Sequence, residues 1–210
     1  MIEYYSERQN ICRLQSANLP TATVSEYAGG QNLIEKTVCF SGHRPEKLPG
    51  RGKCDSAETE FIMNLLRSKI EESISEGYTR FLSGVARGID LWAARTVLEL
   101  KKKNPGIELV CVKPVSNQGE NFPEEDKKLY EAVISEADRV ICTSESYSRN
   151  CYTVRNHYMV DNASKLIAFV NSYRSGTGQT IRYARKLGRK TDITELSAID
   201  FSMKYEQLEF

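Results

Sequence analysis

Ser83-Gly84-Val85-Ala86-Arg87-Gly88-Ile89-Asp90 lies between an apolar run ending Phe81-Leu82 and an amphipathic run from Leu91-Trp92-Ala93-Ala94 through Leu98 and Leu100. That order predicts a strand, a tight glycine turn and a helix N-terminus. Glycine at 84 and 88 allows a sharp bend and lets the backbone approach a ligand with no Cβ in the way. The first-turn amides of a helix lack internal partners, and the macrodipole adds partial positive charge there. Arg87 adds a full one. A phosphate or other compact anion suits such a site. The Gly-x-x-x-Gly spacing matches neither the Gly-x-Gly-x-x-Gly dinucleotide fingerprint nor a Walker loop. Read alone, the turn serves equally well as a plain strand-to-helix link.

Outward from this turn, strands and helices alternate. Thr37 to Phe40 reads as a short buried strand, followed by Ser41-Gly42-His43-Arg44-Pro45 and a Pro/Gly-rich loop to Lys53. A helix is expected over Ser56–Ser75, where Phe61, Leu65, Leu66 and Ile70 recur at helical spacing. Further strands are expected at Tyr78–Leu82, Ile107–Val112, Arg139–Cys142 and Leu166–Val170, with an edge strand at Lys190–Ile193. The intervening helices are Arg87–Lys103, Glu124–Ala137, Tyr152–Ala163 and Thr177–Leu187. Short continuous apolar strands alternating with helices define an α/β, Rossmann-like, mostly parallel sheet covered on both faces. The loops that follow strands then gather at one edge, where ligands bind near a topological switch point. Three domain segments follow: an N-terminal arm at 1–35, a nucleotide-binding domain at 36–194, and a C-terminal tail at 195–210. The arm is rich in Ser, Thr, Asn and Gln, and Gly29-Gly30 breaks any regular element. Tyr4, Tyr5 or Tyr27 could give it an oligomer contact.

The length of 210 residues suits one well-buried domain. No window approaches the ~18 apolar residues of a membrane helix, and no basic-then-apolar leader opens the chain, so the expected setting is cytoplasmic. The cysteines at 12, 39, 54, 111, 142 and 151 show no ligand spacing. His43 and His157, the two histidines, lack Cys, Asp or Glu partners at ligand spacing, so no metal is expected. A formal net charge of +1 argues against broad nonspecific nucleic-acid binding. The segment from Arg149 to Lys190 is different: nine Lys and Arg stand against Asp161 alone, which favours an anionic partner there.

Ser175-Gly176-Thr177-Gly178-Gln179-Thr180 is a second glycine turn opening a helix, with Arg174 and Arg182 nearby. Two such turns would supply two phosphate subsites, as a dinucleotide requires. Arg155-Asn156 opens another helix, where the arginine either meets a phosphate or ribose or makes an ordinary ion pair. His43 lies in the first crevice loop as a candidate hydrogen-bond donor. Asp90 either simply complements the helix dipole or accepts from a ribose hydroxyl and serves as an acid/base. Tyrosines at 147, 152, 158 and 173 lie close in sequence to these loops as candidates for base stacking or for packing.

Taken in order, Ser83 to Asp90, Arg155-Asn156 and Ser175-Gly176-Thr177 resemble the SLOG superfamily. That group includes DprA, the LOG-type phosphoribohydrolases and the YpsA-like proteins. Ser41-Gly42-His43-Arg44-Pro45 looks most like the YpsA-like branch. The resemblance covers roughly Lys36 to Lys190 and implies a crevice for a nucleotide-derived ligand. LOG-type enzymes carry Arg-x-x-x-Met and then Pro-Gly-Gly-x-Gly-Thr-x-x-Glu. Arg155 and Met159 fit the first part and Gly176-Thr177 the second, but Thr180 stands where the catalytic glutamate would be.

The expected function is therefore binding of a phosphate-bearing nucleotide such as NAD, ADP-ribose or a nucleoside monophosphate, for sensing or sequestration. The ligand-binding set is Ser41, Gly42, His43, Arg44, Ser83, Gly84, Ala86, Arg87, Gly88, Asp90, Arg155, Asn156, Ser175, Gly176, Thr177, Gly178 and Thr180. One alternative is DprA-like binding of single-stranded DNA through the basic stretch. The other is N-glycoside hydrolysis, with Asp90 and Arg155 as candidate catalytic residues; the missing glutamate disfavours it. A homo-oligomer is expected from the type of fold alone.

Overall fold

The computed structural model describes residues 30–53 and 55–201. Its elements are α1 (Gly30–Glu35), β1 (Thr37–Gly42), α2 (Ala57–Ser75), β2 (Arg80–Ser83), α3 (Ile89–Lys101), β3 (Glu108–Lys113), α4 (Glu124–Glu136), β4 (Arg139–Cys142), α5 (Cys151–Asp161), β5 (Lys165–Val170), α6 (Gly176–Lys186) and β6 (Lys190–Glu195). All five strand pairings are parallel, and the order across the sheet is β4-β3-β2-β1-β5-β6. The chain winds outward from β1 to β4, then crosses back through α5 to lay β5 against the free side of β1. β1 and β5 therefore flank the switch point, and the carboxyl ends of β2, β1 and β5 lie side by side.

Side chains alternate across the strands and build two cores. Val38, Phe40, Phe81, Leu109, Ile167 and Phe169 face one side, under Ile62, Leu66, Trp92, Val97, Tyr130 and Val133 of α2, α3 and α4. Cys39, Leu82, Val110, Leu166 and Ala168 face the other, under Met159, Val160, Ile181 and Ala184 of α5 and α6. The helices begin where local chemistry stops the chain from extending. Ser56 caps α2 by accepting from the Thr59 amide at 3.1 Å. Pro123 precedes α4, whose first turn carries Glu124, Glu125 and Asp126 against the dipole.

The expected elements are present, with ends displaced by a few residues. α3 starts at Ile89 rather than Arg87 because Gly88 (φ +86°) keeps the chain in the turn. The arm expected over residues 1–35 is described only from Gly30, and there it is helical: Gly30–Glu35 forms α1. Thr37 Oγ1 donates to the Leu33 carbonyl (2.6 Å) just past the end of this helix. Tyr4, Tyr5 and Tyr27 lie outside the described residues. Beyond β6, Leu196 is buried in the α2–α4 core and Phe201 meets Phe61 edge-on. No helix among the described residues is long and apolar enough to cross a membrane.

Phe40 is fully buried in the central strand and stacks on Phe81 with ring centroids 6.1 Å apart. Phe40→Ala is expected to lower the unfolding free energy by about 3–5 kcal/mol, read from the urea midpoint at unchanged m-value.

Candidate functional site

Buried polar side chains gather at the carboxyl end of the sheet. Ser41, His43, Ser83, Asp90, Gln118, Arg155, Thr177 and Thr180 are all there. Apolar packing would serve stability better, so their grouping marks this end for chemistry.

The β2–α3 turn holds itself together. Ser83 Oγ donates to the Asp90 carbonyl (2.6 Å) and accepts from the Val85 amide (3.1 Å). Val85 sits at φ +43° although it is β-branched and fully buried. Backbone of that kind costs about 1–3 kcal/mol and persists where the surroundings over-determine it. Gly88 is needed at φ +86° because a Cβ there would strike the His43 carbonyl. That carbonyl accepts from the Ile89 amide (3.3 Å), and the Ala86 carbonyl accepts from Leu91 (3.0 Å). Part of the amide cradle expected at this helix start is thus already bonded within the protein.

Arg87 also differs from expectation. It pairs with Glu46 of the β1 loop and Asp126 of α4, each at 2.5 Å, and so ties three segments together. Its charge is largely answered. Arg44, exposed on the β1 loop, lies close enough for its charge to act on Arg155 as well as on Glu46.

The centre of the site is Asp90 and Arg155, both buried, with Arg155 Nη1 3.5 Å from Asp90 Oδ2. Burial pushes the Asp90 carboxyl up to about 6, while the Arg155 guanidinium and the backbone amides of Gly42 and Ala86 pull it back. Burial likewise holds Arg155 below its ordinary value, against the pull of Asp90. Gly84 is explained by this pair. A Cβ on it would collide with the Arg155 guanidinium and come within 2.7 Å of Asp90 Oδ2. The space expected to admit a ligand against Gly84 is occupied by an arginine. Gln118, on the loop between β3 and α4, covers the other side and donates from Nε2 to the Gly84 carbonyl (3.0 Å). Asp90 Oδ1, Gln118 Oε1 and Arg155 Nε are buried and meet no hydrogen-bonding partner.

At the switch point, His43 Nε2 accepts from the Ser172 amide (3.4 Å) and Asn171 Nδ2 donates to the Lys47 carbonyl (3.2 Å). Burial, then the charge of Lys47, lower the His43 pKa, so the ring is a neutral brace whose Nε2 is an acceptor. Ser41 and Gly42 end β1 beside Ala168 and Phe169, and Gly42 leaves room for Ile89. The second glycine turn is capped by Ser175, which accepts from the Gly178 amide (3.1 Å). A Cβ on Gly178 would strike the Tyr173 carbonyl, whereas Gly176 faces open space. Thr177 and Thr180 are buried; Thr180 Oγ1 donates to the Gly176 carbonyl and accepts from Asn156 Nδ2, each at 3.1 Å. Consecutive residues of α5 thereby reach both turns: Arg155 lies under Gly84, and Asn156 bonds one turn into α6.

The basic stretch does not form one face. Arg155 is buried in the site, while Lys165 and Lys190 begin their strands at the opposite edge of the sheet and share Glu76. Exposed Arg174, Arg182, Arg185 and Lys186 remain on the loop and on α6. Of the four tyrosines considered for stacking, Tyr147 is 72% exposed, whereas Tyr158 and Tyr173 pack against the second core. Gln118 and the strained Val85 were not among the expected residues. Nothing in a lone loop glutamine or a turn valine marks them in a sequence. Among the described residues no group of three His, Cys, Asp or Glu is placed to hold a metal.

A doubly wound parallel sheet with two glycine turns and a buried arginine–aspartate pair at its carboxyl edge defines a Rossmann-like domain of SLOG type. Residues 38–203 match the family described as YspA SLOG, and the chain belongs to it. It is 28% identical over 153 residues to a UPF0398 protein of Bacillus thuringiensis (strain Al Hakam), covering 72% of this chain and 83% of that one. A UPF0398 protein of Bacillus cereus (strain B4264) is 28% identical over 156 residues, covering 73% and 84%. The fold is similar to DNA processing protein A of Streptococcus pneumoniae, with TM-score 0.54 and 20% identity over 80% of this chain and 53% of that one. DNA processing protein A of Helicobacter pylori, described for its single-stranded DNA binding mode, gives TM-score 0.53 and 14% identity over 84% and 73%.

Two outcomes test this geometry. Gly84→Ala should lower stability by about 1–3 kcal/mol through overpacking against Arg155, while Gly176→Ala should leave it within about 1 kcal/mol of wild type, both read by urea unfolding. Asp90 binds its proton more tightly in the folded protein than in the unfolded chain, so its contribution falls as pH rises from about 4 through about 6. The stability difference between wild type and Asp90→Asn, followed by denaturant unfolding across that window, should therefore change to the disadvantage of wild type.

Proposed function

We propose that this protein binds a nucleotide-derived ligand of the NAD, ADP-ribose or nucleoside monophosphate type across the β1–β5 switch point, as a sensing or sequestering module. The observation that carries the reading is the buried Asp90–Arg155 pair with its unsatisfied valences beneath a strained turn. Strain and uncompensated buried polarity are kept where a fold does something other than persist. Arg44 would meet the ligand's phosphate from the exposed side, and the open start of α6 at Gly176 offers a second polar contact. Family membership supports the fold context without naming the ligand.

Turnover is not part of this reading. Thr180, where a LOG-type enzyme carries its glutamate, is buried and bonded to Asn156 and Gly176. Asp90 is the carboxylate at the centre of the site, and it faces Arg155 inside the protein. Single-stranded DNA binding is the second reading, favoured by the Helicobacter pylori neighbour and by the exposed arginines of α6.

Calorimetry with NAD, ADP-ribose and AMP is expected to show binding by at least one, weakened roughly 10–100-fold by Arg44→Ala through loss of a charged hydrogen bond. An oligonucleotide bound with a steep salt slope, beside no nucleotide binding, would favour the DNA reading instead.

A further inference from the structure

Helix α5 begins at the carboxyl edge, and its first turn carries Tyr152, three residues before Arg155 and four before Asn156. Residues at these spacings are neighbours on a helix surface, with Cβ atoms about 5–6 Å apart. Arg155 runs inward to Gly84, and Asn156 reaches Thr180 at the second glycine turn. Tyr152 stands one helical turn nearer the rim than either. It is 38% exposed. It also lies close enough to Arg155 to act on it electrostatically, as Arg44 does from the β1 loop. The Arg44 Cα is 3.1 Å from where a Cβ on Gly88 would stand, at the far end of the turn that Gly84 opens.

An exposed cation and an open phenol ring thus flank one buried guanidinium. The guanidinium fills the space beneath Gly84, so a ligand lies over the turn and not under it. A phosphate answers Arg44. The flat face of a base answers a ring, because every base has a π-face whatever its hydrogen-bonding edge. A helix-borne tyrosine suits that contact, since it presents a large rigid surface with only two torsions to fix. The other three tyrosines near these loops are placed differently. Tyr147 is carried on the loop before α5, and Tyr158 and Tyr173 pack against the second core. We propose that Tyr152 is the base platform of this site, with the ligand lying across the β2–α3 turn, its phosphate at Arg44 and its nucleobase stacked on the Tyr152 ring. This rests on the nucleotide reading above and deepens it, because it requires a base-bearing ligand and not a sugar phosphate.

NAD, ADP-ribose and AMP carry an adenine, and ribose 5-phosphate does not. Titration of the full chain should show Tyr152→Ala weakening the adenine ligands about tenfold or more, with Tyr152→Phe within about threefold of wild type. Ribose 5-phosphate should bind the wild type and Tyr152→Ala alike. Circular dichroism checks the fold of each variant. A spectroscopic readout separates stacking from a structural role: the emission of Tyr152→Trp, corrected for the response of wild type with its single Trp92, should be quenched by the adenine ligands and not by ribose 5-phosphate. Tyr152→Ala binding the adenine ligands as wild type does, an equal loss for ribose 5-phosphate, or unquenched emission with an adenine ligand bound overturns the platform and leaves the nucleotide reading intact. Failure of NAD, ADP-ribose and AMP alike to bind wild type overturns that reading and the platform with it.

Discussion

The contact on which the rest of the carboxyl edge depends is the buried pair of Asp90 and Arg155. Two ionisable groups taken out of water lose several kcal/mol of hydration each, and a separation of 3.5 Å with unfilled valences does not return it all. The neighbourhood is organised to tolerate this. Gly84 gives up its side chain so that the guanidinium fits. Val85 accepts an unfavourable backbone angle so that Ser83 can hold the start of α3, and with it Asp90. Gln118 closes the remaining side.

The pair also explains why the sheet needs its particular winding. Asp90 comes from the unit that follows β2, on the half of the sheet that winds outward from β1. Arg155 comes from α5, the helix that carries the chain back across the opposite face. Only after that crossover can the two meet at the carboxyl edge. The same crossover delivers Asn156 to Thr180 and sets the β5 loop against His43, so one change of direction assembles the site from four loops that are distant in the chain. The opposite edge is different in kind. Lys165, Lys190 and Glu76 form a compact ion-paired network there with no strained backbone, and its chemistry is that of stability.

Charge is distributed to the same effect. The arginine expected to greet an anion, Arg87, instead braces the β1 loop against α4. Arg44 is an exposed cation near the pair. What looks in the chain like one long basic segment is divided by the fold among a buried site, a structural network at the far edge, and a scattered surface on α6. Among the described residues the basic stretch therefore does not lie on one face.

The sequence by itself determined the architecture, because period and punctuation are local. Five short apolar strand segments with a polar edge strand after them, glycine and proline breaks and amphipathic runs between leave little besides a parallel doubly wound sheet. It also marked the two glycine turns, Arg155, Asn156 and Asp90, since glycine before a helix and arginine at a helix start carry positional meaning. Only the tertiary structure decided which partners those residues take. That Gly84 serves Arg155, that Arg87 is already paired, that Gln118 reaches the turn and that Val85 is strained all follow from contacts between segments far apart in the chain. Those contacts are set by the crossover at β1 and β5, and no local pattern encodes them.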